Sequence, residues 1–184
     1  LQATPQDLRA LVNASMISRT SSGRYALHDL LDDYATHKLK RDPTVWHNVH
    51  ARHCEYYADV LERWAEEAKG PRQQAALEEM DVEIDNARAA WDWAVAQGDL
   101  DVIERAIQGL GLYYRRRVRR QEGSTACQVA VDRLEAQRAA EPLDKNENIR
   151  VLSKVLNWHS RFLPPEPALA AARRSLAILE EPKL

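Results

Sequence analysis

LEEMDVEIDNARAAWDWAVAQGDLDVIERAIQGLGLYYRR, residues 77–116, carries a helical signature interrupted once, at Gly98. Leu77, Met80, Ile84, Ala87, Trp91 and Ala94 alternate steps of three and four, which puts them on one face of an α-helix. Glu78, Glu79, Asp81, Glu83 and Asp85 are expected to point away from that face. Gly98 stops the run, because glycine readily takes the left-handed backbone that closes a helix. Val102, Ala106, Leu110 and Tyr113 then restore the period over residues 99–118. GLG at 109–111 lies inside that pattern and reads as a point where another helix comes close.

Working outward, Trp46, Val49, His53, Tyr56, Val60 and Trp64 predict an earlier helix with that apolar stripe, closing at Gly70-Pro71. Downstream, Cys127, Ala130, Val131 and Leu134 predict a helix over 124–139, and two more are expected over 146–162 and 167–179, stopping at Glu180-Glu181-Pro182. A shift of 44 or 45 residues lays Leu110 on Val155, Tyr113 on Trp158, Cys127 on Ala171 and Leu134 on Leu179. That is a helix-pair repeat of solenoid type, longer than the roughly 34 residues of a standard tetratricopeptide unit.

The N-terminal part differs. Thr4 and Pro5 fit the N-cap and first turn of a short helix over 5–14. Residues 16–19 and 24–27 read as two strands around Ser21-Ser22-Gly23, and Leu30, Leu31, Tyr34, Ala35 and Leu39 return to a helical period before Asp42-Pro43. Helix, hairpin, helix is the back half of a winged-helix module. The expected fold is all-α with one small β-hairpin near the N-terminus: a partial winged helix over 1–42, a linking helical hairpin over 43–98, and tetratricopeptide-like antiparallel helix pairs over 99–184. The chain opens on leucine, so it is expected to be a piece of a longer protein.

Composition narrows the function. Twenty-six basic and 28 acidic side chains give a formal charge of −2, which excludes broad electrostatic adhesion to nucleic acid or anionic membrane. No apolar run reaches the roughly 20 residues of a membrane span, and no secretion signal opens the chain, so a cytoplasmic location is expected. Cys54 and Cys127 form no CxxC and read as small apolar side chains. The six glycines make neither GxxxxGK[ST] nor GxGxxG after a strand, and no serine or cysteine sits in a nucleophile elbow, so no enzyme activity is expected of this chain.

Two clusters remain. In HNVHARHCE, residues 47–55, His50 and Cys54 stand one helical turn apart and have the donor types of a zinc site. Further ligands would have to come from His28, His37, His159 or Cys127, none in ligand-like spacing, so one packed histidine, His53 on the apolar stripe, with His47 and His50 exposed beside it is expected, and no metal. In YYRRRVRRQEG, residues 113–123, Arg115, Arg116, Arg117, Arg119 and Arg120 follow two tyrosines at a helix end. Cations there settle the helix C-terminus; arginines beside aromatics also grip phosphates or single strands. Tyr114, Arg116 and Arg119 are therefore the candidate ligand or partner contacts.

The segment LVNASMISRTSSGRYALHDLLDDYATHKL, residues 11–39, resembles the end of the winged-helix domain in NB-ARC-type signal-transduction ATPases, the STAND class. EIDNARAAWDWAVAQGDLDVIERAIQGLGLYYRRRVRRQEG, residues 83–123, resembles the helical segment that follows it in bacterial members. Joined by RHCEYYADVLE at 52–62, the likeness covers residues 1–134, and the remainder resembles a tetratricopeptide-like arm. In that family a Met-His-Asp motif holds the resting state, its histidine reaching the β-phosphate of ADP. The resemblance implies that Leu27, His28 and Asp29 are this motif, with His28 the nucleotide sensor and Asp29 the helix cap that directs it. It further implies ADP or ATP in the parent but no cofactor held by this chain alone, and contacts with the parent's NTPase domain. The arm would take a protein or small-molecule effector on its concave face or arginine rim, as part of a transcriptional or signalling regulator with at most indirect contact to DNA. The rival reading is a regulator that binds DNA directly through the winged helix and the arginine cluster.

Overall fold

The computed structural model describes residues 4–20, 23–140 and 145–180. The elements in chain order are α1 (Pro5–Asn13), β1 (Ile17–Arg19), β2 (Tyr25–Leu27), α2 (Asp29–Leu39), α3 (Pro43–Glu67), α4 (Gln73–Gln97), α5 (Leu100–Arg116), α6 (Arg120–Ala140), α7 (Lys145–Ser160) and α8 (Pro165–Leu179). The described residues are all-α apart from an antiparallel hairpin near the N-terminus, as the sequence predicts. Ser21 and Ser22 of the expected turn, and Glu181 and Pro182 of the expected stop, lie outside the described residues. Among the described residues no helix is long and apolar enough to cross a membrane. Two compact units result, Leu1–Val49 and His50–Leu184.

In the first unit, α1 starts on a capping box: the Asp7 N–H donates to Thr4 Oγ1 at 3.2 Å, and Asp7 accepts from the Thr4 N–H at 2.8 Å. The hairpin pairs Ile17 with Leu27 and Arg19 with Tyr25. None of α1, β1, β2 or α2 contains a buried residue. Their apolar side chains instead line an open groove of about 800 Å³ that includes Leu11, Met16, Tyr25, Leu27, Leu31 and Tyr34.

The second unit stacks helix pairs. α3, α5 and α7 run parallel in one layer, and α4, α6 and α8 return between them. The turn from α4 to α5 is short because both of its ends are capped. Gly98, at φ +71°, closes α4, and Asp99 at once caps α5 by accepting from the Val102 N–H at 3.2 Å. From α4 to α8 successive helices pack together, α5 also packs on α7 and α4 on α6, while α3 is tied to α4 by side-chain bonds from Cys54, Tyr57 and Trp64; no substantial contact closes α4 onto α8 among the described residues. This is an open array with nearest-neighbour packing, the arrangement of a solenoid.

Glycines set the spacing of the first layer. A Cβ on Gly109 would lie 2.2 Å from the Leu61 carbonyl oxygen in α3, and one on Gly111 would lie 2.5 Å from the Trp158 ring in α7. Two residues along a helix turn it about 200°, so α5 is approached closely on opposite sides. Ion pairs run along the same seams. Arg105 holds Glu55 and Asp59 of α3, and Glu104 holds Arg150 and Lys154 of α7. The α4 carboxylates expected to point away do so only in part. Glu79 accepts from Trp64 Nε1 at 2.9 Å, Glu83 from the Tyr57 hydroxyl at 2.7 Å, and Asp81 from the Tyr113 hydroxyl at 3.1 Å. Large aromatics can thus be buried while their polar tips stay paired.

Two registers differ from expectation. On α3 the buried face is Cys54, Tyr57, Ala58, Leu61, Trp64 and Ala65, while Val49 and Tyr56 are exposed. Apolar residues occupy several sides of this helix; the side that is buried carries Cys54, whose thiol meets the Ala90 carbonyl of α4, and Leu61, whose carbonyl faces Gly109 of α5. In the repeat, a shift of 45 matches α5 to α7, but α6 matches α8 at 44. Leu134 corresponds to Ile178, which is buried, whereas Leu179 is 51% exposed. The turn inside the pair absorbs the odd residue: Tyr113 to Cys127 spans one residue more than Trp158 to Ala171.

Gly109→Ala is expected to lose about 1–3 kcal/mol in urea denaturation, because the clash is with backbone and outweighs the helix propensity gained. Gly70→Ala, whose Cβ would meet nothing nearer than 3.9 Å, is expected to be close to neutral.

Candidate functional site

At the seam between hairpin and helix, His28 is exposed and its backbone is extended, with φ −74° and ψ 138°. It is His28, not Asp29, that caps α2. Its Nδ1 accepts from the Leu30 N–H at 3.4 Å, and its carbonyl accepts from Leu31 and Asp32. The reason is the β-ladder: pairing of Leu27 with Ile17 keeps the chain extended through residue 27, and the helix begins directly after His28. Asp29 is the first helical residue, where its charge still suits the positive end of the helix. With Nδ1 accepting, a neutral ring carries its proton on Nε2, an outward-facing donor with no protein partner among the described residues. Leu27 lines the apolar groove beside it.

At the far end of α5 the arginines separate by role. Tyr114, expected on the rim, is 3% exposed; its hydroxyl accepts from Arg88 Nε at 3.2 Å and its ring packs edge-on against Phe162. Burial of both tyrosine rings is what a helix packed on two sides requires, and it removes Tyr114 from the surface contacts. Arg119 pairs with Glu122 at 3.4 Å and lies over the Tyr113 ring. Arg117 binds Asp81, with Nε at 3.0 Å from Oδ1. Arg116 is exposed.

Arg115 and Arg120 face a cleft of about 530 Å³ whose other walls are Val118, Arg161 and Phe162. Arg161 and Phe162 come from the turn after α7 and were not anticipated. The repeat offers the missing signal, because a shift of 45 carries Arg116 onto Arg161 just as it carries Tyr113 onto Trp158. Arg161 stacks on Trp158 with its guanidinium 4.5 Å from the ring centroid, and donates to Asn157 Oδ1 at 3.0 Å. Phe162 seats against Gly123, where a Cβ would lie 2.9 Å from its ring.

In the histidine and cysteine cluster His47 is exposed, but His50 is half-buried against α4, contrary to expectation, because Trp93 offers it a ring to stack on. His50 stacks on Trp93 with centroids 4.1 Å apart, His53 tilts against Tyr57, and the Cys54 thiol donates to the Ala90 carbonyl at 3.2 Å. Burial pushes the Cys54 thiol up to about 11 and the Cys127 thiol to about 12, so both stay protonated. Ser124 Oγ lies 3.1 Å from His159 Nε2, a buried histidine. Among the described residues no group of three or more potential ligands gathers as a metal site. No protein-family model, curated protein or solved structure matches the chain.

Two predictions follow from these environments. Val118 sits at φ +58° with its side chain 76% exposed, a left-handed position that costs a β-branched residue about 1–2 kcal/mol. Val118→Gly is expected to raise stability by about 1 kcal/mol in thermal or urea denaturation. Burial lowers the proton affinity of His50, His53 and His159, with Asp132 opposing the effect at His159. Each binds its proton less well folded than unfolded, so the stability it confers is complete above the ordinary histidine value and declines as pH falls through it. The melting temperature should therefore drop between about pH 7.5 and 5.5, and His53→Gln with His159→Gln should flatten that profile.

Proposed function

We propose that this chain is the regulatory part of an NB-ARC-type signal-transduction ATPase of the STAND class, non-catalytic by itself. The reading places His28 at the β-phosphate of ADP in the parent, and assigns recognition of a protein or small-molecule effector to the helical array. The observation that carries it is the capping geometry of His28. An imidazole tied through Nδ1 to the first turn of α2 presents its Nε2 proton beside the N–H groups of a helix N-terminus, a natural phosphate environment.

Two further features support it. The apolar groove of the first unit, lined by Met16, Tyr25, Leu27 and Tyr34 among others, offers a surface on which a neighbouring domain of the parent would pack. The open array offers a long recognition face with only nearest-neighbour constraints. An effector would shift the parent between ADP-locked and open forms by binding one of them more tightly, since differential affinity is the only energy a ligand can supply. Direct DNA binding is less well supported, because Arg117 and Arg119 are already engaged by Asp81 and Glu122.

In the full-length protein, His28→Ala is expected to speed ADP release by about tenfold or more, the worth of one hydrogen bond to a charged group. Stopped-flow displacement of a fluorescent ADP analogue measures it. A parent that binds no nucleotide, or an unchanged release rate in the variant, would refute the reading. Steeply salt-dependent DNA binding by this chain, lost on substitution of Arg116 and Arg119, would favour the direct DNA binder instead.

A further inference from the structure

We infer that the cleft between the α5–α6 turn and the turn after α7 is an anion site that takes the phosphate group of a small phosphorylated molecule. This goes beyond the nucleotide-switch reading and does not depend on it, because the cleft lies wholly within the second unit and far in sequence from His28. Three guanidiniums, from Arg115, Arg120 and Arg161, line it together, and no acidic side chain does. The nearby acids are committed elsewhere: Glu122 takes Arg88 and Arg119, and Asp81 takes Arg117. Arg115 and Arg120 have no ion pair among the described residues, and Arg161 has only the neutral Asn157 amide oxygen and the Trp158 ring.

Helix ends do not cancel this charge. The C-termini of α5 and α7 contribute roughly half a negative charge each and the N-terminus of α6 roughly half a positive one, against three full positive charges. The cleft therefore stays positive by about two to three charges. Three like charges brought together repel one another, and the packing holds them there: Arg161 is pinned over Trp158, and Phe162 is wedged between Gly123 and Tyr114. An anion relieves that repulsion. Planar guanidinium forks match the oxygens of a phosphate, which several of them can share.

Size and surroundings select a small ligand over a nucleic-acid strand. The cleft volume, about 530 Å³, falls in the range of small-molecule sites. A strand would have to continue across the array, whose helices carry Glu62, Glu66, Glu78, Asp85 and Glu104 on a chain of net charge −2. Phe162 and Trp158 are buried, so neither offers a ring on which a base can stack.

The test is isothermal titration calorimetry of this chain with inorganic pyrophosphate in about 20 mM NaCl, where screening is weak. The expected result is saturable one-to-one binding, accompanied by a higher melting temperature. Arg120→Gln with Arg161→Gln should weaken it by about tenfold or more, while Arg116→Gln changes it little. All three side chains are exposed, so the variants should keep the native circular dichroism spectrum. If the double variant fails to fold, Arg115→Gln alone carries the same expectation of weakened binding. Absence of pyrophosphate binding, or binding that survives these substitutions, overturns the proposal. So does tight binding of a single-stranded oligonucleotide of about 20 bases with a steep salt slope in place of pyrophosphate.

Discussion

The close approach of three parallel helices governs this structure. α5 is gripped on one side by α3 at Gly109 and on the other by α7 at Gly111, with no room for a methyl group at either contact. A helix approached this way has almost no solvent face, and Val102, Ile103, Ala106, Ile107, Leu110, Tyr113 and Tyr114 of α5 are all buried. Charged residues can stay on it only where they have partners. Arg105 and Glu104 occupy the two seams, each held by residues of the adjacent helix. The remaining charge is displaced to the two ends of α5, with Asp101 in the first turn and the arginines at the C-terminal end.

That displacement links architecture to the arginine cleft. Once α5 and α7 run parallel at close range, their C-terminal turns lie side by side, and Arg115 meets Arg161 across 46 residues of sequence. The same packing draws Tyr113 and Tyr114 inward and leaves their hydroxyls to Asp81 and Arg88. Tyrosines that would decorate a free helix end lie buried instead, Tyr113 beneath Arg119 and Tyr114 beneath Arg88.

The hairpin unit works under a different constraint. Its capping box, its β-ladder and the His28 cap are all local hydrogen-bonded devices, and none of its described residues is buried. Such a unit exposes the apolar faces of its elements. Leu27 stands at the edge of that exposed groove and His28 at the start of α2, which joins the apolar anchor and the polar sensor of the proposed switch in adjacent residues.

Periodicity alone was enough to read the helices, the hairpin and the repeat, because Leu77 through Ala94 and Val102 through Tyr113 mark one face at a 3.6-residue period and Gly98 separates them. It also identified GLG as a place of close contact, since a glycine inside a helix is hard to justify otherwise. It did not select the buried side of α3, where apolar residues lie on several faces and the seating of Cys54 on α4 and of Leu61 against Gly109 of α5 exists only in the packed array. Nor did it place the helix start at His28, which depends on strand pairing with Ile17, or remove Tyr114 from the surface and bring Arg161 to Arg115 and Arg120. Local spacing determines which elements form. Which side chains end as core, latch or open cation depends on distances between helices, and those exist only once the array has packed.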